Sequence, residues 1–402
     1  MTTDGGKWQG AGLAWALTAF AVTRAVIWAA ACTAPQDRGR PQSPREWSHV
    51  PTIRWDAGHY ARILKTGYPL ENGGLPSGAG VEVLAFFPLY PLTARLAAVW
   101  IEPEAALVVT THLASAAAMV FLYLWARRRY NPRVAFWSVL VLSVYPPAMF
   151  LSTGYADGLL LLWVALAVWL LENGRLWPAA LVSGLATATR PTGLALAAVL
   201  LLWAVQHRPR LAWPAQAARL AAIGLVSISG LIGYQLYLWR HYQRPDAFLV
   251  AQARWSGPKD RPDALLRILV LAPVTERAVA PVKYLFRGDW DRLREPGRWN
   301  ALWNVAIVSL AVAGLIRARP VPRVFFLLPV FIFLEGWLPD PAGGARLIGI
   351  ARYQLVALPS FLLLAAWMVH RWPTWLRGGF CAACLAMQCL YVRHFVNWEL
   401  VG

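Results

Sequence analysis

Charged side chains are scarce in this chain of 402 residues: they make up 14% of it, while 58% of the residues are hydrophobic. A soluble globular protein carries about 25% charged residues, so this composition excludes an ordinary soluble domain and indicates a membrane protein. Cysteine is rare too, with four residues. Cys381 and Cys384 form a C-x-x-C pair, but the apolar sequence around them favours buried, inert thiols over a metal or redox site.

Several catalytic motifs are missing from the sequence. No P-loop, G-x-G-x-x-G, H-E-x-x-H or G-x-S-x-G occurs in a suitable context, which argues against ATP hydrolysis, dinucleotide redox chemistry, zinc proteolysis and serine hydrolysis. The net charge of +18 would suggest a nucleic-acid partner in a soluble protein. Here positive cytoplasmic loops and anionic lipid head groups explain the charge, so we expect membrane lipids and no nucleic acid as partners.

Apolar segments of nearly transmembrane length recur along the chain. Residues 9–32 are expected to be a retained helix rather than a signal peptide, because the run is long and contains Arg24, which should face protein rather than lipid. Ten further segments lie at about 105–126, 134–152, 157–172, 176–189, 191–206, 216–238, 300–316, 322–338, 352–369 and 378–393. We therefore predict an all-α polytopic membrane protein with about 11 transmembrane helices, in a single integral membrane domain over residues 1–402.

The charges predict the orientation of these segments. Short connections on the side of the N-terminus carry arginines, so that side is expected to be cytoplasmic, and most acidic residues, including Asp340, fall on or near the outer face. Two outer connections, residues 33–104 and 239–299, are long enough to carry function. Within the first, Pro88 and Pro91 interrupt an apolar stretch, which we interpret as a re-entrant or interfacial segment.

The first outer connection contains the motif Arg-Trp-Asp-Ala-Gly-His-Tyr at residues 54–60. A short helix ending before Gly67 would place Asp56, His59 and Tyr60 on one face, at the boundary where lipid-borne substrates present their polar heads. Asp56 in this position suits a general base and equally suits a helix N-cap. The residues alone leave both interpretations open.

Other polar residues fall at the same outer level. Tyr155 and Asp157 lie in a turn between two apolar segments, where Asp157 is also a candidate N-cap. An arginine at this level can bind a phosphate bidentately, or its side chain can simply extend to the membrane interface. The candidates for phosphate binding are Arg190 and Arg352, together with two basic residues of the second long connection, Lys283 and Arg287. The triplet Asp289-Trp290-Asp291 lies in a charge-rich loop, so we do not favour a metal there and expect no metal or other cofactor.

Together these motifs resemble the PIG-V family, the second mannosyltransferases of GPI-anchor assembly and their bacterial relatives, within the GT-C superfamily. The resemblance rests on residues 54–60, Phe86-Phe87-Pro88-Leu89-Tyr90-Pro91, Tyr145-Pro146-Pro147 with Ser152–Asp157, Thr189-Arg190-Pro191-Thr192-Gly193 and Arg352-Tyr353. It implies a GT-C fold and transfer of mannose, with inversion, from a polyprenyl- or dolichyl-phosphate carrier on the extracytoplasmic face. It also implies that Asp56 is the catalytic base. The composition suggests a bacterial inner membrane, where the acceptor would be a lipid-linked or glycan molecule rather than a GPI precursor.

The chemistry of such a donor fits the residues. A sugar on a lipid monophosphate carries its own leaving group, so the enzyme needs one base and cations that stabilise the departing phosphate. We therefore assign Asp56 as base, His59, Tyr60, Tyr155 and Asp157 to positioning of acceptor or sugar, and the basic candidates to the donor phosphate. The alternative is a transporter or flippase of lipid-linked sugars, which would be expected to show internal repeats that this sequence lacks.

Overall fold

The computed structural model describes residues 5–34, 50–69, 75–76, 78–207, 212–254, 272–317, 320–337, 346–399 and 401. These residues form helices and connecting segments, with no β-strand among them. The α-helices, numbered along the chain, are α1 (Gly5–Cys32), α2 (Asp56–Thr66), α3 (Leu89–Ala98), α4 (Pro103–Arg129), α5 (Pro132–Val144), α6 (Asp157–Glu172), α7 (Leu176–Thr189), α8 (Gly193–Gln206), α9 (Trp213–Ser227), α10 (Ser229–Tyr242), α11 (Ala247–Ala253), α12 (Ala272–Arg287), α13 (Trp290–Leu293), α14 (Asn300–Arg317), α15 (Leu327–Trp337), α16 (Arg346–Tyr353), α17 (Leu358–Arg371) and α18 (Thr374–Val396). Short 3₁₀ segments lie at Gly78–Ala85, Pro146–Ser152, Pro296–Trp299, Arg323–Phe326 and Gln354–Val356.

Four helices in the described part of the chain are long and apolar enough to cross a membrane, or up to six if each of two bent pairs is one span. The predicted count of about 11 is not confirmed. Several segments that the sequence suggested as separate spans form shorter helices, such as α7 and α8 with 14 residues each. A helix of that length rises about 21 Å, less than the roughly 30 Å of a hydrocarbon core.

Proline residues explain one of the bent pairs. α5 ends at Val144, and the chain turns by 83° into the 3₁₀ segment Pro146–Ser152. Proline lacks a backbone N–H and its ring clashes with the preceding turn, so Pro146 and Pro147 stop α5. The apolar segment that the sequence suggested at 134–152 is therefore divided at this point.

The segment after Phe86 forms a short helix rather than a span. α3 has ten residues and therefore rises about 15 Å, too little to cross a bilayer. Large apolar side chains are exposed along it and just beyond it: Leu96 in the helix is 75% exposed, and Val99 and Trp100, which follow the helix, are 74% and 85% exposed. An apolar face of this kind is typical of a helix that lies in the membrane interface.

Arg24, in the first predicted span, lies inside the protein as expected. It is 4% exposed, and its guanidinium donates to the carbonyls of Ala148 and Ser143 at 2.5 and 2.6 Å and to Gln388 Oε1 at 2.8 Å. These acceptors belong to three different elements, so one buried side chain of α1 joins α5, the Pro146–Ser152 segment and α18. The prediction that Arg24 faces protein is confirmed.

Helix direction decides which polar turns meet. α4 and α6 pack side by side, and their last turns are joined by an ion pair between Arg129 and Glu172. Near the opposite end of the pair, Thr111 Oγ1 of α4 donates to the Tyr155 carbonyl at 2.9 Å. α7 then returns from the Glu172 end and stops at Thr189. The turns before α6 and after α7 therefore lie at one end of the bundle, and the Arg127–Arg129 run lies at the other.

Candidate functional site

The first carboxylate of the site stands at the start of α2. Trp55 occupies the N-cap position without a side-chain cap, and its φ of 54° places it in the left-handed region that bulky residues rarely adopt. Asp56 is the first helical residue, and its carboxylate accepts a hydrogen bond from Arg352 Nη2 at 3.0 Å. The capping role that the sequence also allowed is therefore not what this structure shows, since Asp56 interacts with a distant arginine.

The backbone around Trp55 is held from the other end of the chain. Arg54 Nε donates to the Val396 carbonyl at 3.2 Å, and the guanidinium lies 5.4 Å from the Trp398 ring centroid. The Trp55 and Trp398 rings pack with centroids 5.7 Å apart. The motif contained Arg54, but its anchoring role was missed because nothing in the local sequence indicates a partner 342 residues away.

The second carboxylate, Asp157, begins α6. The N-cap residue is Ala156, so Asp157 does not cap the helix, and its Oδ2 accepts from Arg190 Nη1 at 2.8 Å. Its Oδ1 lies 3.7 Å from Arg352 Nε. Asp56, Asp157, Arg190 and Arg352 thus form one charged cluster, built from the ends of α2, α6, α7 and α16. The sequence predicted only that these four residues lie near the same face of the membrane, and the structure brings them into contact.

Aromatic rings surround the two guanidiniums of the charged cluster. That of Arg352 lies 4.9 Å from the Tyr155 centroid and 5.0 Å from those of Phe150 and Tyr353, while that of Arg190 lies 4.5 Å from Tyr353. Arg352 Nη2 also donates to the Tyr353 hydroxyl at 3.2 Å. Cation–π contacts in a desolvated setting stabilise a cation and restrict its position. Phe150 was not among the predicted site residues, because a phenylalanine in an apolar sequence carries no distinguishing signal.

The members of the charged cluster differ in exposure. The side chains of Asp157, Arg352 and Arg190 are 3%, 5% and 10% exposed, whereas that of Asp56 is 24% exposed. Burial alone would lower the pKa of Arg352, but Tyr353, Asp56 and Asp157 more than offset it, and the pKa lies well above its ordinary value. Burial also acts to lower the pKa of Arg190, but Asp157 more than offsets it and the pKa is raised. Both arginines therefore remain cationic, and the cluster contains two positive and two negative groups. Asp56 is its most accessible charge.

Tyr60 and His59 lie on α2 near Asp56 and both contact Phe86, but they differ in exposure. Tyr60 is 3% exposed and packs edge-on against Phe86 and Tyr90, with centroids 5.1 and 4.9 Å apart. Burial raises the pKa of Tyr60, so its phenol stays protonated. His59 is partly exposed and stacks on Phe86 at 4.5 Å. Of the two, His59 is the residue with access to the surface, and the acceptor-positioning role of both stays a prediction.

Tyr155 and Asp157 are committed to protein contacts. Tyr155 is 2% exposed and donates from its hydroxyl to the Arg54 carbonyl at 3.3 Å, and burial raises the pKa of this phenol well above its ordinary value. Asp157 faces an arginine with each carboxylate oxygen. Direct contact with a sugar hydroxyl, the role that the sequence suggested for this pair, stays a prediction that these contacts do not support.

The two remaining basic candidates lie elsewhere. Lys283 and Arg287 are exposed on α12, which packs against α14 and the short elements between them. Within the described residues, neither forms an ion pair or hydrogen bond with the charged cluster. Their predicted role at the donor phosphate has no contact in its favour, because charge alone did not indicate where the second long connection folds.

No group of three or more His, Cys, Asp or Glu side chains that could hold a metal lies within the described ranges. Asp289 accepts from the backbone N–H of Arg292 and also pairs with that residue's side chain. Asp291 pairs with Arg294. The Asp289–Asp291 triplet is therefore engaged by arginines. Asp340 lies outside the described residues.

Part of this chain is similar in sequence to known mannosyltransferases. The family model described as dolichyl-phosphate-mannose-protein mannosyltransferase matches residues 88–234, which include Asp157 and Arg190. GPI alpha-1,6-mannosyltransferase 2 of Cricetulus griseus is 31% identical over 153 residues, covering 35% of this chain and 29% of that protein. The Homo sapiens protein of the same name is 29% identical over 152 residues, with the same coverage. The predicted resemblance to the PIG-V family is confirmed. The match spans less than a third of the length of these relatives.

A solved structure shows the fold. The Archaeoglobus fulgidus oligosaccharyltransferase in its apo form matches with a TM-score of 0.50 and 12% identity, covering 96% of this chain and 56% of that chain. The described residues form only helices and share their fold with this structure, so the all-α architecture predicted from the sequence is confirmed.

Proposed function

We propose that this chain is an inverting GT-C mannosyltransferase that moves mannose from a polyprenyl-phosphate (dolichyl-type) carrier to a hydroxyl of a lipid-linked or glycan acceptor. The observation that carries the proposal is the charged cluster: one accessible carboxylate, Asp56, beside two buried arginines. The sequence similarity to two mannosyltransferases supports the reaction class, although it covers only part of each protein.

The proposed reaction is a single displacement. The acceptor oxygen attacks the anomeric carbon of mannose, the bond from that carbon to the phosphate oxygen breaks, and the acceptor proton moves to the Asp56 carboxylate. Arg352 and Arg190 stabilise the negative charge on the departing polyprenyl phosphate. Attack opposite the leaving group inverts the anomeric configuration. A monophosphate leaving group beside two guanidiniums needs no metal, which is part of the proposal.

We place the site on the extracytoplasmic face of a bacterial inner membrane. The support is the distribution of charge along the helices: Arg127, Arg128 and Arg129 end α4, and Arg175 precedes α7, at the end of the bundle away from the charged cluster. Arginines in short connections mark the cytoplasmic side. The exposed apolar face of α3, close in sequence to α2, supports a carrier that approaches from the membrane.

The test compares Asp56→Asn with Asp246→Asn in the full-length protein purified in detergent. Asp246 forms an exposed pair with Arg244 and serves as the matched control. The assay follows the transfer of labelled mannose from polyprenyl-phosphate mannose to a panel of lipid-linked and soluble glycans. We expect Asp56→Asn to lower the turnover number by about 10²- to 10⁴-fold, the usual contribution of a general base, and Asp246→Asn to have no effect.

As a control for folding, each variant should have the same melting temperature as the wild type. Turnover of folded Asp56→Asn at the wild-type rate would remove Asp56 as the base. Movement of labelled carrier across a vesicle membrane without a new glycosidic bond would instead identify a transporter.

A further inference from the structure

Arg352 lies between two carboxylates that differ in their freedom to move. Its Nη2 donates to Asp56 Oδ2 at 3.0 Å, and its Nε lies 3.7 Å from Asp157 Oδ1. Asp157 is almost fully buried and also accepts from Arg190. Asp56 is partly exposed, and Arg352 is its ion-pair partner within the described residues. One arginine is therefore shared between a fixed carboxylate and an accessible one.

The charge balance of the cluster shows what a phosphate must displace. Two carboxylates and two guanidiniums already neutralise each other, so an incoming phosphate adds negative charge to a balanced group. Asp157 cannot exchange its arginines for water, because a buried carboxylate without a partner is strongly unfavourable. Asp56 has access to solvent and can leave. An incoming phosphate therefore competes with Asp56, rather than with Asp157, for Arg352.

We infer that Asp157 is a positioning residue that holds Arg190 and Arg352 in place, and that the donor phosphate and Asp56 compete for Arg352, so that donor binding releases Asp56. This inference rests on the proposed function and adds to it an order of events. Asp56 is held while the site is empty of donor. Once the phosphate takes the Arg352 N–H groups, the carboxylate is free to receive the acceptor proton. The base then becomes available when the sugar is in place.

The inference predicts opposite effects of two isosteric substitutions around the same arginine. The probe is undecaprenyl phosphate, and its affinity for the full chain in detergent is measured by quenching of tryptophan fluorescence. Asp56→Asn removes the competitor, so binding should tighten by roughly two- to fivefold, as expected for a partly exposed ion pair. Asp157→Asn removes the fixed partner of both arginines, so binding should weaken by about tenfold or more. The control Asp246→Asn should bind as the wild type does.

The outcomes separate this inference from the proposed function. Weaker or unchanged binding by Asp56→Asn would overturn the competition, and wild-type binding by Asp157→Asn would overturn the positioning role. Asp157→Glu keeps the charge and should restore most of the affinity, which a merely space-filling role for Asp157 would not predict. Arg352→Ala tests the earlier proposal separately: wild-type affinity in that variant would remove Arg352 from the phosphate site altogether.

Discussion

Replacing Arg24 by methionine tests how far one buried side chain stabilises the bundle. The guanidinium makes three short hydrogen bonds, to Ala148 O, Ser143 O and Gln388 Oε1. At a net contribution of about 1 kcal/mol each, their loss should lower the free energy of unfolding by about 3 kcal/mol. Gln388 is fully buried, so its amide oxygen would lose its partner without gaining water.

The measurement is denaturant unfolding in mixed micelles, followed by tryptophan fluorescence. Arg95 is exposed on α3, and Arg95→Met should change the unfolding free energy by no more than about 0.5 kcal/mol. Gln388→Leu, alone and combined with Arg24→Met, completes a double-mutant cycle in which the two losses should not add. Equal midpoints for Arg24→Met and the wild type, or strictly additive losses, would refute the reasoning.

Two further predictions concern the packing and pH dependence of the site. Gly158 follows Asp157, and a Cβ there would lie 2.5 Å from Ser115 Oγ and 2.6 Å from Thr111 O. Gly158→Ala should therefore destabilise the protein by about 1–3 kcal/mol and weaken undecaprenyl phosphate binding, whereas Gly233→Ala, which meets nothing within 4 Å, should do neither. Unchanged stability and binding in Gly158→Ala would contradict the close packing of α6 on α4. Burial raises the pKa of Tyr60, so above about pH 10 the unfolded phenol ionises while the folded one does not, and stability should fall as pH rises. Melting temperatures between pH 8 and 11 should fall less steeply in Tyr60→Phe, and parallel curves would show that Tyr60 has no part in the loss.

The members of the charged cluster were predictable because of where they stand in the sequence. Asp157, Arg190 and Arg352 are charged residues at the ends of apolar segments, and Asp56 lies in the aromatic motif of residues 54–60 in the first outer connection. Charge in such places requires a partner or a function. The pairings were not predictable. Arg190 and Asp157 are 33 residues apart, and Arg352 and Asp56 are 296 apart, so no local pattern connects them.

The fold class was equally accessible from composition, but the number of spans was not. Hydropathy marks apolar stretches without showing where a helix stops or bends. The segment predicted at 134–152 divides into α5 and the 3₁₀ segment Pro146–Ser152, and the one predicted at 216–238 divides into α9 and α10 with a 60° bend. The positions of Lys283 and Arg287 were not predictable either, because a charged side chain in a long connection does not indicate which surface it will reach.

Two contacts at the start of α2 join residues that are synthesised far apart in time. Arg54 donates to the carbonyl of Val396, and Asp56 accepts from Arg352, which follows it by 296 residues. A ribosome releases the chain from its N-terminal end, so the motif emerges early and lacks both partners until α16 and α18 have been made. In a partly translated chain the Asp56 carboxylate therefore has no contact with Arg352, and the backbone before α2 is not yet held by Val396.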